Sequence, residues 1–275
     1  MNKVAILLTC FNRKQTTLSC LNRLFTIKQD IDVYIVDDLS TDGTSELIAI
    51  QYPQVNIIQG TGNLFWSRGM QLAWQHASTK EYEYYLWLND DVLLYDNCFT
   101  ELFVCSELFK KAIVSGIVES HGKTETLYGG SDKNKKLLVP NGTLQTIRNM
   151  NGNIVLVPKS VFGILGNLDP VFHHDLGDVD YGLRASEHNI DVLTTRFPVG
   201  SGDSNKICRV RLNGATLKRR FNKLYSPLGS NPNITFYFRR KHIGYLNAIF
   251  YYIFVIFLNI LPDSAVHFLF KNRYK

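Results

Sequence analysis

Apolar and polar positions come in alternating blocks through most of the chain. VAILLT (4–9) is an apolar run of strand length, and Lys14–Lys28 then places Leu18, Leu21 and Phe25 at helical spacing. The couplet repeats with DVYIVDD (32–38) before a helix over Thr44–Ile50, and with VNIIQG (55–60) before a helix over Leu64–Ala77. YYLWL (84–88) is a fourth strand, Cys98–Lys110 a helix, and AIVSGIV (112–118) a further strand. Residues 119–150 carry His-Gly, Gly-Gly and Asn-Gly turns and predict short antiparallel strands. NGNIVLVPKSVFGILG (151–166) reads as a strand and a short helix. HHDLGDVDYGLRASEHNIDVL reads as an acidic loop, a helix from about Asp178 and another strand. The alternation predicts an α/β fold with a mostly parallel sheet flanked by helices. In such sheets ligands bind beyond the carboxyl ends of the strands, and Thr9, Asp37–Asp38, Gly60–Asn63 and Asn89–Asp91 all fall there.

Composition narrows the class. With 45% hydrophobic and 20% charged residues the chain is globular rather than disordered, and 275 residues suffice for one large domain or a domain with an appendage. Five cysteines (Cys10, Cys20, Cys98, Cys105, Cys208) are an odd number without C-x-x-C spacing, which argues against a disulfide framework or structural zinc and for a reducing compartment. MNKVAILLTCFNRK has one Lys before a short apolar stretch and no small-residue cleavage site, so it reads as a first strand and not a signal peptide. A cytoplasmic location is expected.

Charge divides the chain. Residues 1–203 hold 17 of the 30 basic and 23 of the 24 acidic residues, a net of −6, whereas residues 204–275 hold 13 and 1, a net of +12. The basic part also contains the longest apolar run, YLNAIFYYIFVIFLNIL (245–261). We expect a catalytic domain over 1–203 and a basic, apolar, helical extension over 204–275. The run is short for a bilayer-spanning helix. With Lys218, Arg219, Arg220, Lys223, Arg239, Arg240 and Lys241 upstream, it suits an anionic membrane surface. A helix buried on the domain and a homodimer interface are the alternatives. Nucleic acid is disfavoured, because such sites pair basic residues with polar surface. The resulting expectation is a protein peripheral to the inner face of the cell membrane.

Several motifs carry chemistry. VDDLSTDGT (36–44) starts like a calcium loop, but Ala49 stands where the bidentate Glu belongs. Asp42–Thr44 reads as a helix cap; Asp38 at the strand tip can accept from the imide N–H of uracil or thymine. TCFNRK after the first strand lacks the glycines of a dinucleotide or P-loop site. Asp90 and Asp91 are oxygen ligands of the kind Mg2+ or Mn2+ takes together with substrate phosphates, unless they form a solvated turn. Asp178 sits near a helix N-terminus, where it can cap the helix or act as a base on a hydroxyl. Asp175 and Asp180 compete for that role or bind the acceptor, and Arg184 can pair with any of them. His173 and His174 read as packed or solvent-facing, with a role at or beside the metal as the alternative.

Together these residues resemble the inverting family 2 glycosyltransferases of GT-A fold, including bacterial rhamnosyltransferase-like members. The shared pattern is T-x-[YF]-N (Thr9, Phe11, Asn12), V-D-D-x-S-x-D-G-T (Val36 to Thr44), G-x-x-N (Gly60, Asn63), D-D (Asp90, Asp91) and D-V-D-x-x-L-R (Asp178 to Arg184). The resemblance implies Asp38 and Thr9 at the pyrimidine, Asn63 and Asp90 on the donor, Asp91 on the metal and Asp178 as the base. The Glu that commonly precedes this Asp is Gly177 here, which leaves Asp175 to replace its contacts, and no His follows the next strand in RFPVGSGDSNK (196–206). LFWSRG (64–69) is bulkier than the corresponding turn of relatives, which points to a distinct donor-sugar preference. The implied activity is metal-dependent transfer of a hexosyl group from a UDP- or dTDP-sugar to a glycan or lipid-linked acceptor in cell-surface polysaccharide synthesis. A sugar nucleotidyltransferase and a non-catalytic, membrane-docked nucleotide-sugar-binding protein are the alternatives.

Overall fold

The computed structural model describes residues 3–109, 112–204 and 209–271. Cys208 lies outside them; Cys10, Cys20, Cys98 and Cys105 are buried free thiols. The described residues form two compact units, one from 1–173 and 177–204, the other from 174–176 and 205–275.

The first unit opens with strand–helix couplets: β1 (Val4–Cys10), α1 (Lys14–Ile27), β2 (Asp32–Asp37), α2 (Thr44–Gln51), β3 (Asn56–Gln59), α3 (Phe65–Ala77) and β4 (Tyr84–Leu88). Next come β5 (Leu93–Leu94), α4 (Cys98–Leu108), β6 (Ile113–Ser120), and the short β7 (Thr126–Tyr128), β8 (Gly130–Ser131) and β9 (Asn149–Met150). β10 (Ile154–Pro158), α5 (Lys159–Leu165), α6 (Gly177–Glu187) and β11 (Val192–Gly202) complete it. The period-two pattern of β1 sorts its side chains between two helical layers. Val4, Ile6 and Leu8 pack with Leu21 and Leu24 of α1 and Leu102 of α4, whereas Ala5 and Leu7 pack with Met70 and Trp74 of α3.

The main sheet runs β3-β2-β1-β4-β10-β6-β11-β5, with β7 on β6. Strands β1 to β4 are mutually parallel, as the couplets predict. The sheet is mostly parallel, as expected: β6 and β11 run alongside each other in the same direction as β1 to β4, while β10 lies antiparallel between β4 and β6, and β5 and β7 are antiparallel to β11 and β6. All five residues of β10 are buried, and a strand covered on both faces reads the same in either direction. The chain winds outward through β1, β2 and β3, then returns to place β4 on the other side of β1. That reversal makes the carboxyl ends of β1 and β4 a topological switch point, the place where open α/β sheets bind ligands.

The second unit contains α7 (Leu217–Tyr225), α8 (Pro232–His242), α9 (Tyr245–Ile260) and α10 (Asp263–Phe270). Thr216 and Asn231 cap α7 and α8 with their side chains. Arg211 and Arg220 are buried, and both pair with Asp263 at the start of α10. Arg239 lies 3.6 Å from the Tyr251 ring centroid and donates to Asn247 Oδ1 at 2.6 Å, joining α8 to α9. No helix among the described residues is long and apolar enough to cross a membrane.

Candidate active site

The site begins where β1 ends. Asn12 adopts a left-handed conformation (φ 50°), which Asn tolerates better than most residues. Its backbone N–H donates to Ser40 Oγ at 2.8 Å and its Oδ1 accepts from Thr41 N–H at 2.7 Å, tying this turn to the loop after β2. In that loop Asp37 is buried and caps the backbone, accepting from Ser40 N–H at 2.9 Å and from the Ser45 hydroxyl. Asp38 organises the next turn: Oδ1 accepts from Gly62 N–H at 2.7 Å, and Oδ2 from Leu64 and Phe65 N–H at 2.8 and 3.1 Å. A Cβ on Gly60 would lie 2.7 Å from Asp38 Oδ1, so the backbone approaches the carboxylate through a glycine. Asn63 stands exposed at the tip of this turn. Thr9 is half-buried under α3, where only a glycine fits at position 69: a Cβ there would meet Thr9 Oγ1 at 2.3 Å.

On the other side of β1, the end of β4 delivers Asn89, Asp90 and Asp91. Asp90 is 4% exposed and accepts from the Thr17 hydroxyl of α1 at 2.9 Å. Arg13 reaches over from the end of β1 and spans both carboxylates, 3.1 Å from Asp90 Oδ1 and 2.9 Å from Asp91 Oδ2. Burial pushes the Asp90 carboxyl up to about 6; Arg13 pulls against the rise and the Asp91 charge adds to it. Asn89 belongs to a polar chain. Its Oδ1 accepts from Trp66 Nε1–H at 2.6 Å, its Nδ2 donates to Asn153 Oδ1 at 2.5 Å, and Asn153 Nδ2 donates to Asn151 Oδ1. The chain joins the tip of β4 to the start of β10.

Asp178 lies in the first turn of α6. Its Oδ2 accepts from Gly152 N–H at 2.9 Å and its Oδ1 from Val179 N–H at 2.8 Å. Two backbone donors thus set the orientation of the carboxylate. Gly152 sits against Trp66 on one side and Asp178 on the other. Edge-on and tilted rings support this corner, since Trp74 contacts Trp87 and Tyr181, and Trp87 contacts Trp66. Gly177 approaches Ser67 closely: a Cβ would lie 2.1 Å from Ser67 Oγ and 3.1 Å from its Cβ, so a Glu here would require Ser67 to move.

Two expectations change. Asp180 is fully buried and paired with Arg184 at 2.9 Å, and Arg184 also donates to the Leu165 and Asn167 carbonyls. It ties α6 to the end of α5 instead of facing an acceptor. Asp175, expected within the catalytic domain, groups with the second unit. Burial raises its carboxyl against the opposing pull of Arg209. His174, in the same unit, is held down to about 4 by burial and by Arg209 and Lys223.

Arg13, Thr17, Trp66, Gly152 and Asn153 were not singled out from the sequence. Arg13 directly follows the T-x-F-N motif, and Trp66 lies in the bulky LFWSRG turn. Gly152 and Asn153 have no sequence signal beyond a turn. For a divalent metal, Asp90 and Asp91 offer oxygens that already converge on one cationic group, the guanidinium of Arg13. Among the described residues no cluster of three or more His, Cys, Asp or Glu is arranged to hold a metal. Two carboxylates completed by phosphate and water is the set Mg2+ and Mn2+ accept, so the residues fit such an ion.

Among solved structures, the chain resembles the mannosyltransferase PcManGT from Pyrobaculum calidifontis in complex with GDP-Man and Mn2+. The TM-score is 0.59 at 12% identity, over 98% of this chain and 76% of that one. It also resembles S. aureus TarS 1-349 in complex with UDP, with a TM-score of 0.52 at 14% identity, over 73% of this chain and 60% of that one. At these identities the likeness is one of fold, and the mixed α/β architecture is that of the GT-A glycosyltransferases. No curated protein matches the chain. The model of the family described as Glycosyl transferase family 2 matches residues 5–164, more than half of the 275-residue sequence. The chain therefore belongs to glycosyl transferase family 2.

Proposed function

We propose that the protein moves a sugar, with inversion, from a UDP- or dTDP-sugar to a hydroxyl of a glycan or lipid-linked acceptor in cell-surface polysaccharide synthesis. The observation that carries this reading is the switch point, with Asp38 after β2 on one side of β1, Asp90 and Asp91 after β4 on the other, and Asp178 bonded to Gly152 just before β10.

In this reading Asp38 and Thr9 receive the nucleotide base, and Asn63 and Asp90 the ribose or donor sugar. Asp91 is the principal ligand of Mn2+ or Mg2+, with Asp90 beside it. Such an ion supplies Lewis-acid neutralisation of a diphosphate leaving group. Asp178 takes the proton of the acceptor hydroxyl. The acceptor oxygen forms its bond to the anomeric carbon as the bond to the diphosphate oxygen breaks, and the nucleoside diphosphate leaves with that electron pair. The neighbours' bound GDP-Man and UDP support a nucleotide-sugar donor in this fold.

A peripheral position at the inner face of the cell membrane accompanies this reading. Leu246, Phe250, Ile253, Phe257 and Ile260 recur three or four residues apart along α9, each more than half exposed. They form an apolar stripe in a part of the chain, residues 204–275, that carries a net of +12. A helix of 16 residues is about 24 Å long, so it would lie in the interface rather than span it. The like charges of two such units disfavour pairing of this face with its own copy. The second unit also holds Asp175, the remaining candidate acceptor contact.

The test is a thermal-shift panel of UDP-, dTDP- and GDP-sugars, dTDP-rhamnose among them, with and without Mn2+. One sugar nucleotide should stabilise the protein in a metal-dependent way. Asp91→Asn and Asp178→Asn should then each nearly abolish release of nucleoside diphosphate without loss of fold. Full activity in either variant removes that residue from its role.

A further inference from the structure

Arg13 does more than decorate the acidic pair. The turn that carries it is set from outside: Asn12 is left-handed and bonded to Ser40 and Thr41, and Lys14 N–H donates to Asp42 Oδ2 at 3.0 Å. Held between these anchors, Arg13 bridges adjacent carboxylates that come from 77 and 78 positions away in the sequence. The two arms differ. Asp90 is enclosed and has a second partner in Thr17, whereas Asp91 is 27% exposed and faces solvent. Two neighbouring carboxylates repel each other, and a buried one needs a counter-charge. The guanidinium is that counter-charge, and it occupies the oxygens a divalent ion would take.

We propose that Arg13 is the resident counter-cation of the Asp90–Asp91 pair and couples metal binding to donor binding, by yielding Asp91 to the ion and turning to the donor's diphosphate. The inference rests on the metal reading above. Its logic is charge balance. An ion arriving alone meets carboxylates already neutralised by an adjacent guanidinium and must compete with it. A nucleoside diphosphate supplies new acceptors for Arg13, for which guanidinium–phosphate pairing is well suited. Metal and nucleotide should therefore each bind weakly alone and tightly together, and the excess should depend on Arg13. It is a positioning residue, since it acts through Asp91 and the diphosphate and not on the reacting carbon.

The experiment measures Mn2+ binding to the whole protein by electron paramagnetic resonance, without and with UDP, in wild type, Arg13→Met, Arg13→Lys and Asp91→Asn. Relieving a partly exposed ion pair should tighten binding of Mn2+ alone to Arg13→Met by about tenfold. The gain in Mn2+ affinity on adding UDP should shrink by about the same factor. Arg13→Lys keeps the charge but cannot bridge both carboxylates, so it should fall between wild type and Arg13→Met. It also guards against a Met variant that fails to fold. Mn2+ affinity and UDP coupling unchanged from wild type in both Arg13 variants, with binding lost in Asp91→Asn, overturn the role of Arg13 and leave the metal site standing. Undiminished Mn2+ binding in Asp91→Asn overturns the metal reading itself, and the inference falls with it.

Discussion

Replacing Gly152 by Ala perturbs the corner where Trp66, Asp178 and the start of β10 meet. The added Cβ would lie 2.4 and 2.5 Å from two carbons of the Trp66 ring and 3.3 Å from Asp178 Cβ. Ordinary carbon–carbon contact is about 3.5–4.0 Å, so one partner must shift by about 1 Å. Trp66 is tethered through its Nε1–H to Asn89 at 2.6 Å and rests edge-on against Trp87, so the ring cannot retreat freely. Asp178 is tethered to the same residue through Gly152 N–H. Overpacking of this kind costs about 1–3 kcal/mol, and a misplacement of about 1 Å in a positioned group costs about a hundredfold in rate. Gly163→Ala is the matched control: nothing lies within 4 Å of its added Cβ, it sits inside α5, and it should stabilise the protein by about 0.5–1 kcal/mol. The assay combines chemical denaturation with release of nucleoside diphosphate from the sugar nucleotide chosen by the thermal-shift panel. Wild-type stability and turnover in Gly152→Ala would refute the packing argument and the placement of Asp178 drawn from it.

Three further outcomes are expected. Asp263→Ala leaves the buried Arg211 and Arg220 without their carboxylate, though carbonyls of Leu258 and Leu261 still receive them; because Asp263 is 42% exposed, the loss should be about 2 kcal/mol, and denaturant midpoints equal to wild type would contradict it. His174 is neutral in the fold, its pKa held at about 4 against an ordinary 6.5. The unfolded chain therefore takes up the proton first, and stability should fall by roughly 3 kcal/mol as pH drops from 6.5 to 4. His174→Gln should lose that slope, and an identical pH–stability curve in the variant counts against it. Phe250→Asp, on the exposed stripe of α9, should weaken cosedimentation with vesicles of anionic phospholipid by about tenfold or more at unchanged thermal stability; retention equal to wild type would exclude that face from docking.

Much of the fold was legible in the sequence because its signals are local. The unbroken apolar run of β1 and the three- and four-residue spacing of α1 depend on neighbours along the chain, and burial matched them. The order of acidic motifs on the strand tips was legible for the same reason: a strand followed by Asp in an alternating α/β chain places that Asp at the carboxyl edge. The direction of β10 was not, since IVLVP is buried on both faces and carries no sign of polarity. Asp180 shows a related limit. As part of an acidic helix start it looked available, yet the i,i+4 pair with Arg184 and the turn of α6 put it inside.

By itself, the sequence determined the strand–helix alternation, the acidic strand tips and the separation of charge between the two parts of the chain. These follow from short-range periodicity and from counting. Only the tertiary structure decided that Arg13 clasps Asp90 and Asp91, that Gly152 touches both Trp66 and Asp178, and that Asp175 groups with the second unit. Those relations depend on register and packing between segments tens of residues apart. Their contact free energy exists only after the chain has closed the intervening loops, so no local pattern can record it.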